Sequence, residues 1–86
     1  MQMIAGFYVI RSESKIPRDA FNLLFAPHKN WISLSKSRQD ENFGDWWHYL
    51  DVSPLIEGPL LISFAFALGQ MVERHDTEAR KAKQKE

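Results

Sequence analysis

The sequence predicts a small α+β domain in the order β-α-β-β-α, whose small sheet packs on a long C-terminal helix. Three observations support this fold class. Residues 3–10 are apolar and rich in aromatic and β-branched residues, which is typical of a buried strand. From Ile32 the segment 31–36 alternates apolar and polar residues, the pattern of a half-buried strand. Residues 60–83 are helical in character, first apolar and then charged.

A short helix is predicted between the first two strands. Pro17 suits the first turn of a helix, where its missing N–H costs nothing. Phe21, Leu24 and Phe25 follow at i, i+3 and i+4, which gives the helix one apolar stripe. We expect the helix to end at Pro27, because the residue before a proline avoids the α conformation.

The segment 46–52 is the ambiguous element. After a polar segment, 37–45, that we interpret as a loop, its aromatic residues favour a strand that forms a hairpin with 31–36. A strand places one tryptophan on each face, with Trp46 beside His48 and Trp47 beside Tyr49. If the segment is helical instead, the protein is mostly α.

The final helix is expected to enter through Gly58 and Pro59. Its first three turns are apolar nearly all round, so we expect them to be buried on several sides. After Val72 the sequence turns charged, and residues 73–86 are predicted to be a charged helical tail whose last residues fray into solvent.

Length and composition favour one domain over residues 1–86, because 86 residues are enough for a single core and no more. The chain has no cysteine, which excludes disulfides and cysteine-bound zinc and fits a reducing, cytoplasmic location. The N-terminus lacks the pattern of a signal peptide. The longest uncharged stretch, 58–72, has 15 residues. A membrane span needs ~20, so no integral span is expected.

The net charge of zero argues against a dedicated nucleic-acid binder, but the charges occur in blocks. Residues 1–39 carry +4, residues 40–57 carry −5 and residues 58–86 carry +1. Such blocks can steer a charged partner, or can meet each other within the fold.

We find no motif for catalysis, a cofactor or a metal. The sequence lacks a nucleophile elbow and a phosphate loop, and its three histidines are not at metal-ligand spacing. We therefore predict that the protein is not an enzyme, with no catalytic, cofactor-binding or metal-binding residues.

Two sets of residues are candidates for contacts with a protein partner. The exposed members of the aromatic group Trp46, Trp47 and Tyr49 are candidates for partner binding. The final helix is more apolar than a small domain can easily cover, so it is a candidate for pairing with a second copy. The residues expected on this dimer helix are Leu61, Phe64, Ala65, Leu68, Gly69 and Val72.

The leading hypothesis is therefore a small adaptor-like or inhibitor-like protein that binds another protein, as a homodimer built on its C-terminal helix. The alternative is a nucleic-acid-binding module that combines sheet aromatics with N-terminal basic residues. The basic residues in question are Arg11, Lys15, Arg18, Lys36 and Arg38. Peripheral membrane binding through the final helix is a third interpretation.

Overall fold

The structure, a computed structural model, describes the backbone of residues 6–84 and the side chains of residues 8–83. Its elements follow the predicted order β-α-β-β-α, so the α+β prediction is confirmed. The part of the predicted first strand that covers residues 3–5 lies outside the described residues. The elements are β1 (Gly6–Ser12), α1 (Arg18–Phe25) with a 3₁₀ turn (Ala26–His28), β2 (Ile32–Gln39), β3 (Trp46–Val52) and α2 (Gly58–Gln84).

The three strands form an antiparallel sheet in the order β1-β3-β2, with β3 in the centre. Tyr8 and Leu34 both lie opposite Leu50, and Arg11 and Arg38 both lie opposite Trp47. Because alternate residues of a strand point to opposite faces, this register assigns every strand residue to one face or the other. The mostly helical alternative is wrong, because 46–52 is the central strand and pairs along both edges.

β2 is longer than the sequence predicts, and the predicted loop 37–45 is wrong in its first three residues. Ser37, Arg38 and Gln39 continue the strand and pair with β3. The pairing shifts between Leu34 and Lys36, so Ser35 is the extra residue of a β-bulge. The bulge breaks the alternation of apolar and polar residues, which is why the pattern ends before the strand does.

The β2–β3 hairpin closes through a short loop in which Asp40 is the central acceptor. Its carboxylate accepts hydrogen bonds from the backbone N–H groups of Asn42 (2.8 Å) and Phe43 (3.2 Å). These two donors hold the pKa of Asp40 below its usual value, because they stabilise the charged form. Gly44 follows with φ +78°, a left-handed conformation that glycine adopts without strain.

Both helices pack on the same face of the sheet. α1 buries Phe21 and Phe25, and the ring of Phe25 meets Phe64 of α2 edge to face at 5.7 Å. α2 contributes Phe64, Leu68 and Met71 to the core, at the i, i+4, i+7 spacing of one helix face. Each such side chain stabilises the fold by about 1.5–3 kcal/mol through burial. The other face of the sheet has no helix on it among the described residues.

The charged half of α2 is bound to the loop that follows β1. The carboxylate of Asp76 accepts hydrogen bonds from the N–H of Glu13, from the N–H of Ser14 and from the hydroxyl of Ser14, each at 3.1 Å. One turn later Arg80 forms an ion pair with Glu13, which raises the pKa of the guanidinium further. The predicted tail is therefore held on the domain for at least its first two turns. Over the described residues, no helix is both long and apolar enough for a membrane crossing.

Candidate interaction surfaces

The residues predicted for the dimer helix divide between the core and the surface of the domain. Phe64 and Leu68 are buried against the sheet, and Leu61 and Val72 are half-buried at its margin. Ala65 and Gly69 are exposed. Much of the apolar excess that the sequence indicates is therefore covered within the chain.

An apolar strip remains exposed on the outer side of α2. Ile62 is 60% exposed and Phe66 is 68% exposed, and neither was among the predicted dimer residues. Together with Ala65 and Gly69 they have the spacing i, i+3, i+4 and i+7, which is one face of a helix. We call this set, Ile62, Ala65, Phe66 and Gly69, the α2 stripe. The first turns of α2 are apolar on all sides, so the sequence alone does not show which residues form the exposed stripe. The tertiary structure does, because it shows which face of α2 packs on the sheet.

Beside the α2 stripe lies an apolar groove of about 290 Å³, which opens between α2 and the edge strand β1. Tyr8 and Ile10 form its β1 wall, and Ala65 and Gly69 belong both to its α2 wall and to the stripe. A Cβ atom built on Gly69 meets no other atom within 4 Å, so the groove is open at that point. We call this feature the β1 groove.

The uncovered side of the sheet, which we call the open face, carries aromatic and basic residues in cross-strand rows. One row is Arg11, Trp47 and Arg38, and the next is Val9, Tyr49 and Lys36. The guanidinium of Arg11 lies 5.8 Å from the ring centre of Trp47, and the ammonium of Lys36 lies 5.2 Å from that of Tyr49. Both distances are within the range of cation–π attraction.

The five basic residues of the nucleic-acid alternative do not all share this face. Arg11, Lys36 and Arg38 belong to it, as the register shows. Arg18 donates to the carbonyl oxygens of Leu34 and Ser35, and so stabilises the bulge at the β2 edge. Lys15 lies over the ring of Trp46, 5.2 Å from its centre, at the end of the sheet's covered side. Of the three predicted aromatic contacts, Trp47 and Tyr49 lie on the open face and Trp46 does not.

Carboxylates limit the positive area of the open face at both ends. Asp45 accepts two hydrogen bonds from Arg11, one of them from Nε at 2.6 Å. Trp47 donates from Nε1 to Asp40 at 3.4 Å, which orients the indole. Asp51 lies on the same face one row beyond Tyr49. The acidic block of the sequence therefore borders the aromatic rows, while Lys36 and Arg38 make no ion pair within residues 8–83.

On the covered side, His48 is fully buried and both of its ring nitrogens have a hydroxyl partner. Nε2 lies 2.8 Å from the hydroxyl oxygen of Ser12, and Nδ1 lies 2.8 Å from that of Ser37. Burial lowers the pKa of His48, and Lys15 lowers it further against an opposing effect of Asp76. These contacts make His48 a structural residue, because neither nitrogen is available to a metal or a substrate.

The contact between Ser12 and His48 does not provide a catalytic nucleophile. The hydroxyl of Ser12 donates to the carbonyl oxygen of Ser14 at 2.6 Å, and the side chain is 3% exposed, so it reaches no substrate. Among the described residues, no group of three or more His, Asp or Glu side chains is arranged to bind a metal ion. Comparison of the chain with protein-family models, curated proteins and solved structures gives no match.

Proposed function

We propose that this chain is a non-enzymatic protein that acts by binding other proteins and that it self-associates as a homodimer through α2. The observation that carries the proposal is the α2 stripe, which lies exposed beside the open β1 groove. The absence of cysteine suits a reducing compartment, so we place this activity in the cytoplasm.

The α2 stripe has the composition of a surface where two helices meet. Ile62 and Phe66 supply the apolar side chains, and Ala65 and Gly69 are small enough for two helix backbones to approach closely. Across a two-fold axis the same stripe faces itself, so the large residues of one copy lie against the small residues of the other. The stripe ends at Gly69, and the charged Glu73 follows one turn later, which limits the contact to about two turns.

The β1 edge strengthens the case for pairing in this region. Natural edge strands are usually protected by charged residues, proline or a covering element, because their N–H and C=O groups can pair with another strand. In β1, Tyr8, Val9 and Ile10 are neither charged nor proline, and no further strand pairs with this edge among the described elements. Tyr8 and Val9 are 39% and 46% exposed. In β-α-β-β-α-β folds a further strand follows the second helix and joins the sheet. Within residues 6–84, no strand pairs with the outer edge of β1.

A strand added at that edge would use the β1 groove. Successive side chains of a strand alternate between the faces of a sheet, so every second side chain of the added strand would enter the groove beside Ala65 and Gly69. If the added strand is β1 of a second copy, the two α2 helices lie side by side beneath a continuous sheet. Strand pairing and helix pairing then belong to one interface.

The test is the solution mass measured by light scattering over a range of concentrations. The unaltered protein is expected to reach twice the chain mass of 10.1 kDa. Phe66→Gln removes the largest apolar group of the stripe and should shift the protein to the monomer. Phe43→Gln is the matched control, because Phe43 is 77% exposed at the tip of the β2–β3 hairpin, and it should leave the dimer intact.

Gly69→Leu separates loss of the interface from loss of the fold. A Cβ at this position meets open space and leucine has a higher helix propensity than glycine, so we expect the domain to stay folded while the leucine side chain blocks the groove and the stripe. A monomeric Gly69→Leu variant that retains its unfolding transition supports the proposal. An unaltered protein that remains monomeric at a concentration on the order of 0.1 mM contradicts it, as does a dimer that neither variant weakens.

A further inference from the structure

We propose that the open face of the sheet binds a helix of a protein partner, and that this helix carries carboxylates on either side of an apolar contact. The open face lies on the side of the sheet opposite α2. A single copy presents this face, so binding there does not require the homodimer. The surface consists of the two aromatic rows, with Trp47 and Tyr49 at the centre and the basic residues on both flanking strands.

Charge complementarity indicates an acidic partner. Three basic residues, Arg11, Lys36 and Arg38, lie in its two aromatic rows. Asp45 pairs with Arg11 at one end of the face, and Asp51 lies one row beyond Tyr49 at the other. Lys36 and Arg38 are exposed and make no ion pair within the described side chains, so both remain available to an incoming carboxylate. Tryptophan, tyrosine and arginine are also the residues most often found at the energetic centre of protein interfaces.

The spacing of the two unpaired cations fits a helix. Lys36 and Arg38 are two residues apart on one strand, which separates their Cα atoms by about 7 Å. Acidic residues at i and i+4 of a helix lie about 5–6 Å apart at Cβ, so long side chains on both partners can pair at this distance. An apolar side chain between them would lie on Tyr49 or Trp47. A sheet face is usually covered by a helix or a second sheet, and the open face has neither within residues 6–84.

Two observations favour a protein over a nucleic acid on this face. The rings of Trp47 and Tyr49 are half-buried, so each presents only part of its surface for stacking by a base. In addition, Asp45 and Asp51 confine the positive area to about two rows, or ~7 Å along the strand. A phosphate backbone that followed the strand would meet a carboxylate within one or two nucleotides.

The experiment uses two fluorescently labelled helical peptides and the full chain. The acidic peptide carries leucines on one face with glutamates at i and i+4 beside them, and the basic peptide replaces those glutamates by lysines. We expect the unaltered protein to bind the acidic peptide, measured by anisotropy. The double variant Lys36→Glu/Arg38→Glu should weaken that binding at least tenfold and should bind the basic peptide instead.

The matched control is Lys81→Glu/Lys83→Glu, which makes a similar change of charge at the exposed end of α2 and should leave binding of the acidic peptide unchanged. Reversal of preference in the first variant alone supports the proposal. Equal loss in both variants means that net charge governs binding, and this overturns it. Tighter binding of a dT₁₅ oligonucleotide than of the acidic peptide overturns it in favour of a nucleic acid, and binding of neither probe overturns it outright.

Discussion

His48 lies 2.8 Å from the hydroxyl oxygen of Ser12, and this contact fixes the tautomer of the buried ring. The Ser12 hydroxyl donates its proton to the carbonyl oxygen of Ser14, so it can only accept from His48 Nε2–H. His48 Nδ1 is then the acceptor for the hydroxyl of Ser37. The three side chains belong to β1, β3 and β2, so one neutral imidazole joins all three strands inside the core.

The first prediction is that acid weakens the fold through His48. Burial lowers the pKa of His48 in the folded protein below the unfolded value of 6.5. Well above pH 6.5 His48 is neutral in both states, so stability does not vary with pH through this group. As the pH falls below 6.5 the unfolded chain gains a proton first, so the free energy of unfolding declines until the folded-state pKa is reached. Urea unfolding between pH 8 and pH 5 measures this decline.

The variant His48→Gln provides the comparison for that measurement. Glutamine keeps one donor and one acceptor but does not titrate, so the variant should be less stable at pH 8 and should lose less stability towards pH 5. If its pH dependence matches that of the unaltered protein, other groups cause the decline and the assignment to His48 is incorrect.

The second prediction concerns the partners of the ring. Ser12→Ala leaves His48 Nε2–H buried without an acceptor, which should lower the free energy of unfolding by about 2 kcal/mol. Ser35→Ala is the control, because Ser35 is the exposed extra residue of the bulge, and it should change stability by less than ~0.5 kcal/mol. Urea denaturation at pH 7.5 measures the free energy of unfolding of both variants. Similar values for the two would show that the His48 ring tolerates the loss of its Ser12 acceptor.

The sequence predicts the order of the elements because each has a local signal. The apolar run of β1 and the turn signals around Pro17, Pro27 and Pro59 are all local features. The true end of β2 has no local signal, since Ser37, Arg38 and Gln39 are held there by pairing with β3 and follow a bulge. Pairing across the β2–β3 hairpin, and not the pattern of these three residues themselves, decided this boundary.

The candidate surfaces could be predicted only in part, because their residues come together only in the folded sheet and against the packed helix. The aromatic and basic residues of the open face were identified separately, and only the register of three strands brings Arg11 and Arg38 to either side of Trp47. On α2, an apolar circumference does not show which stripe packs on the sheet. Ile62 and Phe66 could be assigned to the surface only from the tertiary structure.

The third prediction is that Asp76 holds the second half of α2 against the domain. Asp76→Ala removes the acceptor for the two backbone N–H groups and one hydroxyl of the loop at Glu13 and Ser14. These hydrogen bonds are exposed or only partly buried, and solvent weakens each of them, so we expect local release of the helix with modest global destabilisation. Hydrogen exchange by mass spectrometry should show faster exchange over residues 73–83.

In the same measurement, Glu78→Ala serves as the control, because Glu78 is exposed on α2. It should leave exchange in that segment as it is in the unaltered protein. Arg80→Ala should have a small effect, since its ion pair with Glu13 is largely solvated. Unchanged exchange in Asp76→Ala would mean that the helix is held by its apolar contacts alone.

The fourth prediction compares the effects on stability of replacing two glycines, Gly69 and Gly44, by alanine. Gly69 lies within α2, where an added Cβ meets no atom, so Gly69→Ala should raise the free energy of unfolding by about 0.5–1 kcal/mol through helix propensity. Gly44 also has open space around it, but its φ is +78°. Gly44→Ala should therefore lower stability by about 1 kcal/mol through backbone strain. Urea unfolding, at a concentration where light scattering shows the monomer, compares the variants. Both substitutions add one methyl group and differ only in the backbone conformation at the site. Equal effects of the same sign would therefore contradict the claim that backbone conformation determines the change in stability.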